Sequence, residues 1–98
     1  MHIPKSIKFI VPKNSYKKYV AIIPGSLTKS GREKRVSFGD RRYEQYKDSV
    51  PKSQGGGKWT RLNHLDKQRR ASYRARHGAQ NYQKIKFSPS WFSYYFLW

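Results

Sequence analysis

The chain has 98 residues, 22 of them lysine or arginine and five of them acidic, which gives a formal net charge of +17. The length allows one domain at most. So large a positive excess opposes compaction and favours a polyanionic partner, either nucleic acid, an acidic protein surface or an anionic membrane. The absence of cysteine excludes disulfides and thiolate chemistry, and it restricts zinc ligands to histidine and carboxylates.

Three runs rich in β-branched and aromatic residues predict short strands, at residues 7–12, 17–24 and 34–39. Asn14 and Ser15 are turn residues between the first two runs, so these two form a predicted N-terminal β-hairpin. In the third run, alternation with period two places Val36 and Phe38 on the same face. A core built largely from aromatic rings is expected, since aromatics make up 16% of the chain.

Two segments follow whose local chemistry predicts a helix and then a loop. Asp40 is a suitable cap for a short helix running to Asp48, with Tyr43 and Tyr46 on one side. Residues 50–58 contain a proline and three consecutive glycines, which predict a flexible loop between the two halves of the chain.

A basic helix is predicted from Asn63, a good N-cap, to a stop at Gly78. Several cations on such a helix suit phosphate recognition, with Tyr73 and Trp59 available to stack on bases. The helical wheel also groups Arg69, Tyr73 and Arg76 on a face that can receive aromatic rings. The predicted polyanion-binding residues are Lys67, Arg69, Arg70, Arg74 and Arg76.

The last eleven residues carry six aromatics and no charge. Ser88 followed by Pro89 is a strong helix start, so a short aromatic helix is predicted there. Part of this aromatic tail, defined as residues 88–98, is expected to complete the domain's own core, whereas Phe96 and Trp98 are expected to meet a partner. The predicted partner-binding residues are Trp91, Phe92, Tyr95, Phe96 and Trp98.

These elements predict an α+β fold in a small single domain, with an N-terminal β-hairpin and a third short strand followed by two or three short helices. Residues 1–39 form its strand-rich part, and residues 40–98 form a helical basic part that ends in the aromatic tail. No signal peptide is visible, and the apolar tail is far shorter than the roughly 20 residues of a membrane-spanning helix.

Other short motifs in the chain have stronger structural explanations. Residues 55–60 lack the first glycine of a phosphate-binding loop and the hydroxyl residue after its lysine. The scattered histidines lack a closed ligand set, and no catalytic constellation is visible, so we expect a protein that is not an enzyme and has no metal or cofactor. Residues 34–38 are similar to a phosphatase-docking motif but equally suit a strand, and residues 69–72 are similar to a basophilic kinase site.

Three blocks of the sequence together carry a family resemblance. They are Val-Ser-Phe-Gly at 36–39 followed by Tyr-Glu-Gln-Tyr-Lys-Asp at 43–48, the basic segment at 64–78, and the aromatic segment at 90–98. In order, spacing and residue type they resemble a family of short basic proteins encoded by large nucleocytoplasmic DNA viruses of algae and protists. The resemblance covers residues 34–98. It implies a viral setting and a component of the virion, and it carries no functional residue over to this chain.

Two functions compete on these observations. The first is a minor capsid protein, assembled inside the host cell, that cements the major capsid protein or other minor capsid proteins through its aromatic tail and basic surface. The second is a nucleic-acid-binding protein that condenses viral DNA without sequence preference. A third alternative is an adaptor on an anionic membrane surface, with the aromatic tail at the interface.

Overall fold

The sheet consists of three antiparallel strands in chain order: β1 (Lys8–Ile10), β2 (Tyr19–Ile23) and β3 (Lys34–Phe38). The computed structural model that gives this fold describes residues 4–80 and 85–98. Phe9 pairs with Ala21, which pairs with Val36, and all three side chains are buried. The predicted hairpin, the third strand and the shared face of Val36 and Phe38 are therefore confirmed.

Two helices follow the sheet, α1 (Lys67–Gln80) and α2 (Pro89–Phe96), and short 3-10 turns lie at Gly25–Leu27, Lys52–Gln54 and Thr60–Leu62. The start of α2 is as predicted, because the hydroxyl of Ser88 accepts a hydrogen bond from the Trp91 amide at 3.1 Å and Pro89 is the first helical residue. The architecture is α+β in a single domain, as the sequence predicts.

The core lies between the inner face of the sheet and α2. Phe92 is fully buried, and its ring stacks on Phe38 at 5.1 Å and meets the edge of Phe9 at 5.9 Å. Aromatic residues are thus seven of the thirteen buried apolar residues in the described part of this short chain. The buried apolar residues are Ile7, Phe9, Tyr19, Ala21, Ile23, Val36, Phe38, Val50, Trp59, Trp91, Phe92, Phe96 and Leu97.

The helix predicted for residues 40–48 is not formed. Instead, the main chain of this segment pairs with two distant segments: the amide of Gln45 donates to Leu62 O at 3.1 Å, and that of Lys47 donates to Leu97 O at 3.2 Å. The Gln45 side chain is fully buried and donates to the main-chain oxygen of Trp59 at 2.7 Å. A helix would withdraw these groups from their partners, so tertiary contacts override the local preference.

The basic helix begins three residues later than predicted, at Lys67. Asp66 is its cap, since its Oδ1 accepts from the amides of Gln68 at 2.9 Å and Arg69 at 3.2 Å. The Asn63 side chain accepts instead from Gln45 Nε2 and from the Asp48 amide. The helix also continues past the predicted stop at Gly78 and ends at Gln80.

The predicted flexible loop at 50–58 is a packed connection. Gln54 is buried and donates to Ile7 O at 2.7 Å. A Cβ atom at Gly55 would collide with the carbonyl oxygen of Phe9, and one at Gly56 would collide with that of Val50. These glycines therefore allow close backbone approach.

Candidate nucleic-acid interface

Helix α1 presents only some of its predicted polyanion-binding side chains to solvent. Lys67, Arg69 and Arg76 are exposed, whereas Arg70 and Arg74 are half-buried. Arg69 also forms an exposed ion pair, at 3.2 Å, with Glu44. Such a pair contributes little to stability, so the guanidinium can exchange it for another anion at small cost.

Arg70 and Arg74 bind the chain's own aromatic tail. Their Nε atoms donate to the main-chain oxygen of Trp98, at 2.9 and 3.2 Å respectively. The guanidinium of Arg70 lies 4.7 Å from the ring centre of Tyr46, and that of Arg74 lies 4.7 Å from that of Tyr94. Arg70 and Arg74 thus anchor Trp98 to α1, and their predicted binding of a polyanion stays a prediction.

The aromatic tail packs against its own domain. Trp91, Phe92 and Phe96 are buried, and Trp98 is partly buried with its ring stacked on Tyr73 at 4.4 Å. Of the five residues predicted to bind a partner, Tyr95 alone is exposed, at 36%. Phe96 and Trp98 therefore lie against their own domain, and their predicted contact with a partner stays a prediction. Tyr73 receives a ring, as the helical wheel predicts.

The two rings predicted to stack on bases are not available in this structure. Trp59 is 6% exposed, and its Nε1 donates to Lys18 O at 2.8 Å. Tyr73 lies between the rings of Trp98 and His77, with a ring separation of 3.9 Å to His77. Burial raises the pKa of Tyr73 to about 12.

A different aromatic pair is exposed where two turns meet. Tyr16, in the connection between β1 and β2, is 51% exposed, and Tyr43, in the segment after β3, is 66% exposed. The guanidinium of Arg42 lies 4.6 Å from the ring centre of Tyr16 and 5.8 Å from that of Tyr43. We call these three residues the tyrosine platform. The sequence signal for it is tyrosine next to basic residues in turn segments, Tyr-Lys-Lys at 16–18 and Arg-Arg-Tyr at 41–43.

All five acidic side chains are engaged within the domain. Asp48 is buried and accepts from Tyr19 Oη at 2.6 Å and from the amides of Trp59 and Val50 at 3.0 and 3.1 Å. Asp66 caps α1. The other three form ion pairs: Glu33 with Arg35, Asp40 with Arg42, and Glu44 with Arg69. Lys67 and Arg76 thus have no acidic partner within residues 4–80 and 85–98, and the charges of these two side chains are uncompensated.

One lysine is buried and belongs to the core rather than to the basic surface. Lys18 is 2% exposed, and its ammonium donates to Oε1 of Gln45. Burial lowers the pKa of Lys18 to about 8, although the nearby carboxylates of Asp40 and Asp48 oppose the shift. This side chain therefore satisfies a buried polar network and is withdrawn from any external anion.

The chain matches no protein-family model, no curated protein and no solved structure. Neither described helix is long and apolar enough to cross a membrane. In the part of the chain that the structure describes, histidine and carboxylate side chains are nowhere gathered in threes as a metal site requires.

Proposed function

We propose that this protein binds nucleic acid through the phosphate backbone, without sequence preference. The observation that carries the proposal is the engagement of all five acids inside the domain, which leaves the exposed cations of α1 to attract an external polyanion. Each phosphate contact releases condensed counterions, so many weak contacts add up to binding that depends steeply on salt. The resemblance of the sequence to proteins of large DNA viruses adds a setting to this proposal, in which the protein condenses DNA in a virion.

The test is fluorescence anisotropy with a labelled DNA duplex across a series of salt concentrations. The informative variant is Lys67→Gln/Arg76→Gln, which removes two exposed cations of α1. Its matched control is Lys8→Gln/Arg35→Gln, because both residues are exposed on the outer face of the sheet and both pair with Ile22. The two double variants lose the same net charge.

We expect the α1 variant to bind roughly 10-fold more weakly near physiological salt. The slope of log K against log salt should become less negative by about 2, since each lost phosphate contact contributes about 0.9 to it. The control variant should change both quantities much less. Equal losses in the two variants, or wild-type binding that does not respond to salt, would contradict the proposal.

A minor capsid protein that cements neighbouring capsid proteins is the second candidate function. The exposed apolar side chains of Ile85, 68% exposed, and Tyr95 favour it, since such residues serve as contact points between proteins. Burial of Trp91, Phe92 and Phe96 removes its strongest anchors. Dissociated virions separate the two functions, because a capsid protein stays with the capsomers whereas a condensing protein follows the DNA.

A further inference from the structure

The tyrosine platform is a rigid arrangement. Both carboxylate oxygens of Asp40 accept hydrogen bonds from the Arg42 side chain, Oδ1 from Nε at 3.0 Å and Oδ2 from Nη2 at 2.7 Å. Oδ1 also accepts from the Arg42 amide at 2.9 Å. This pairing lowers the pKa of Asp40 to about 2, so the carboxylate stays charged at physiological pH. The guanidinium is therefore held beside both rings.

The two turns that carry the rings are also tied to each other. The amide of Arg41 donates to the main-chain oxygen of Tyr16 at 2.8 Å. The Arg41 side chain reaches under the same turn, where Nη2 donates to Pro12 O at 2.8 Å and to Lys17 O at 3.2 Å. Binding of a ligand at the platform therefore requires little ordering of the protein backbone, which lowers the entropic cost of binding.

The Arg42 side of the platform suits a flat ring better than a phosphate, whereas the Lys17 ammonium, 5.2 Å from the ring centre of Tyr16, keeps a positive charge there. Asp40 already neutralises Arg42, so this guanidinium attracts a distant anion weakly while its face remains planar and polarisable. Exposed tyrosine rings beside such a plane are what single-strand-binding surfaces offer to unpaired bases. In a duplex the base faces are already covered by their neighbours, so a duplex cannot use the platform.

The platform also leads directly to the cations of α1. Tyr43 lines an open groove of about 960 Å³ together with Arg69 and Arg76, and the acidic residues Glu44 and Asp66 line it too. A strand whose bases stack at Tyr43 can therefore run its phosphates along the exposed arginines of the helix. This continuity places a base-stacking element and a phosphate-binding element on one path.

We propose that Tyr16, Arg42 and Tyr43 stack on unpaired bases and make this protein prefer single-stranded nucleic acid over duplex. This inference rests on the proposed function, because the phosphate contacts on α1 supply the common part of the affinity. It adds to that function the class of nucleic acid that is bound and the residues that select it.

The test compares three labelled probes of about 20 units, longer than the 4–16 nucleotides that a single-strand-binding domain of this size covers. The probes are oligothymidylate, a strand of the same length made of abasic sites, and a duplex. The abasic strand keeps the phosphates but has no base to stack. The variant is Tyr16→Ala/Tyr43→Ala, and the control is Tyr95→Ala, which removes an exposed tyrosine of α2. Tyr43→Phe keeps the ring and should behave as wild type.

Wild-type protein should bind oligothymidylate more tightly than the abasic strand by about 5- to 150-fold for each stacked base. The double variant should reduce that ratio towards one while leaving duplex and abasic binding unchanged, and Tyr95→Ala should leave all three affinities unchanged. Equal wild-type affinity for the three probes overturns the inference but leaves the proposed function intact. A double variant that loses affinity equally for all three probes also overturns it. No binding to any probe overturns both.

Discussion

Removing the ring of Phe92 tests whether the aromatic tail is the core of the domain. This side chain is fully buried and touches rings from three parts of the chain, with centroid separations of 5.1 Å to Phe38, 5.9 Å to Phe9 and 6.0 Å to Phe96. In Phe92→Ala the apolar contact is lost and a cavity remains between α2 and the sheet, because strands on one side and a helix on the other cannot collapse fully into it.

The expected loss is about 3–5 kcal/mol of the free energy of unfolding. For a domain of this length each kcal/mol lowers Tm by about 4–8 °C, so the melting temperature should fall by at least about 12 °C. The free energy of unfolding of a small domain lies near the low end of the usual range of about 5–15 kcal/mol. This single substitution therefore removes nearly all of the stability of the domain.

Urea unfolding followed by tryptophan fluorescence measures the effect, because Trp91 and Trp59 are both buried. Phe92→Leu keeps part of the volume and provides a measurable intermediate if the alanine variant is unfolded. Tyr95→Ala, on the exposed side of the same helix, is the matched control and should cost under about 1 kcal/mol. Equal losses for Phe92→Ala and Tyr95→Ala would refute the assignment of the tail to the core.

Two further predictions concern stability. Asp66→Ala removes the cap of α1 and should lower the free energy of unfolding in urea by about 1 kcal/mol. Asp66→Ser keeps a capping oxygen and should lower it by about a few tenths of a kcal/mol. Equal losses in the two variants would show that the cap contributes nothing. The buried amine of Lys18 has a pKa of about 8, against 10.5 ordinarily. Between these two values the unfolded chain therefore binds one proton more than the folded chain. The free energy of unfolding should rise with pH as a result, by about 2 kcal/mol between pH 8 and 10. This rise should be absent in Lys18→Met and present in the exposed control Lys47→Met, and a flat wild-type profile would contradict it. Above pH 10 the raised pKa of Tyr19 reverses the slope, since the unfolded tyrosine then loses its proton first.

Elements whose information is local could be predicted from the sequence. The strands follow from alternating β-branched and aromatic residues, and the start of α2 follows from Ser88 and Pro89. Each of these signals acts within a few residues, and at these positions the tertiary packing agrees with it, whereas for residues 40–48 it does not.

Elements set by distant partners could not be predicted. Gln45 and Asn63 have ordinary turn and cap chemistry in sequence, but their side chains are hydrogen-bonded to each other across 18 positions. This contact accompanies the loss of one predicted helix and the later start of the next. Nothing near either residue in the chain indicates that contact. A buried amide network is a tertiary property, since each polar group must find its partner in space.

The same distinction applies to the candidate interface. The basic character of α1 could be read from composition, and Lys67, Arg69 and Arg76 are exposed as expected. The anchoring role of Arg70 and Arg74 depends on Trp98, which lies 24 or more positions away. The tyrosine platform is likewise created only when two turns from different parts of the chain meet.

The position of α2 in the chain has a consequence for synthesis and folding. The rings that cover the sheet belong to the last element in chain order, while Phe9 beneath them belongs to the first. As the chain is made, the strands of the sheet are synthesised before α2, which covers them. The core therefore forms only through contacts that span almost the whole sequence, and folding that depends on such contacts is slow. Uncovered apolar strands aggregate readily. The strong positive charge that marks the mature surface also makes nascent copies repel one another during that interval.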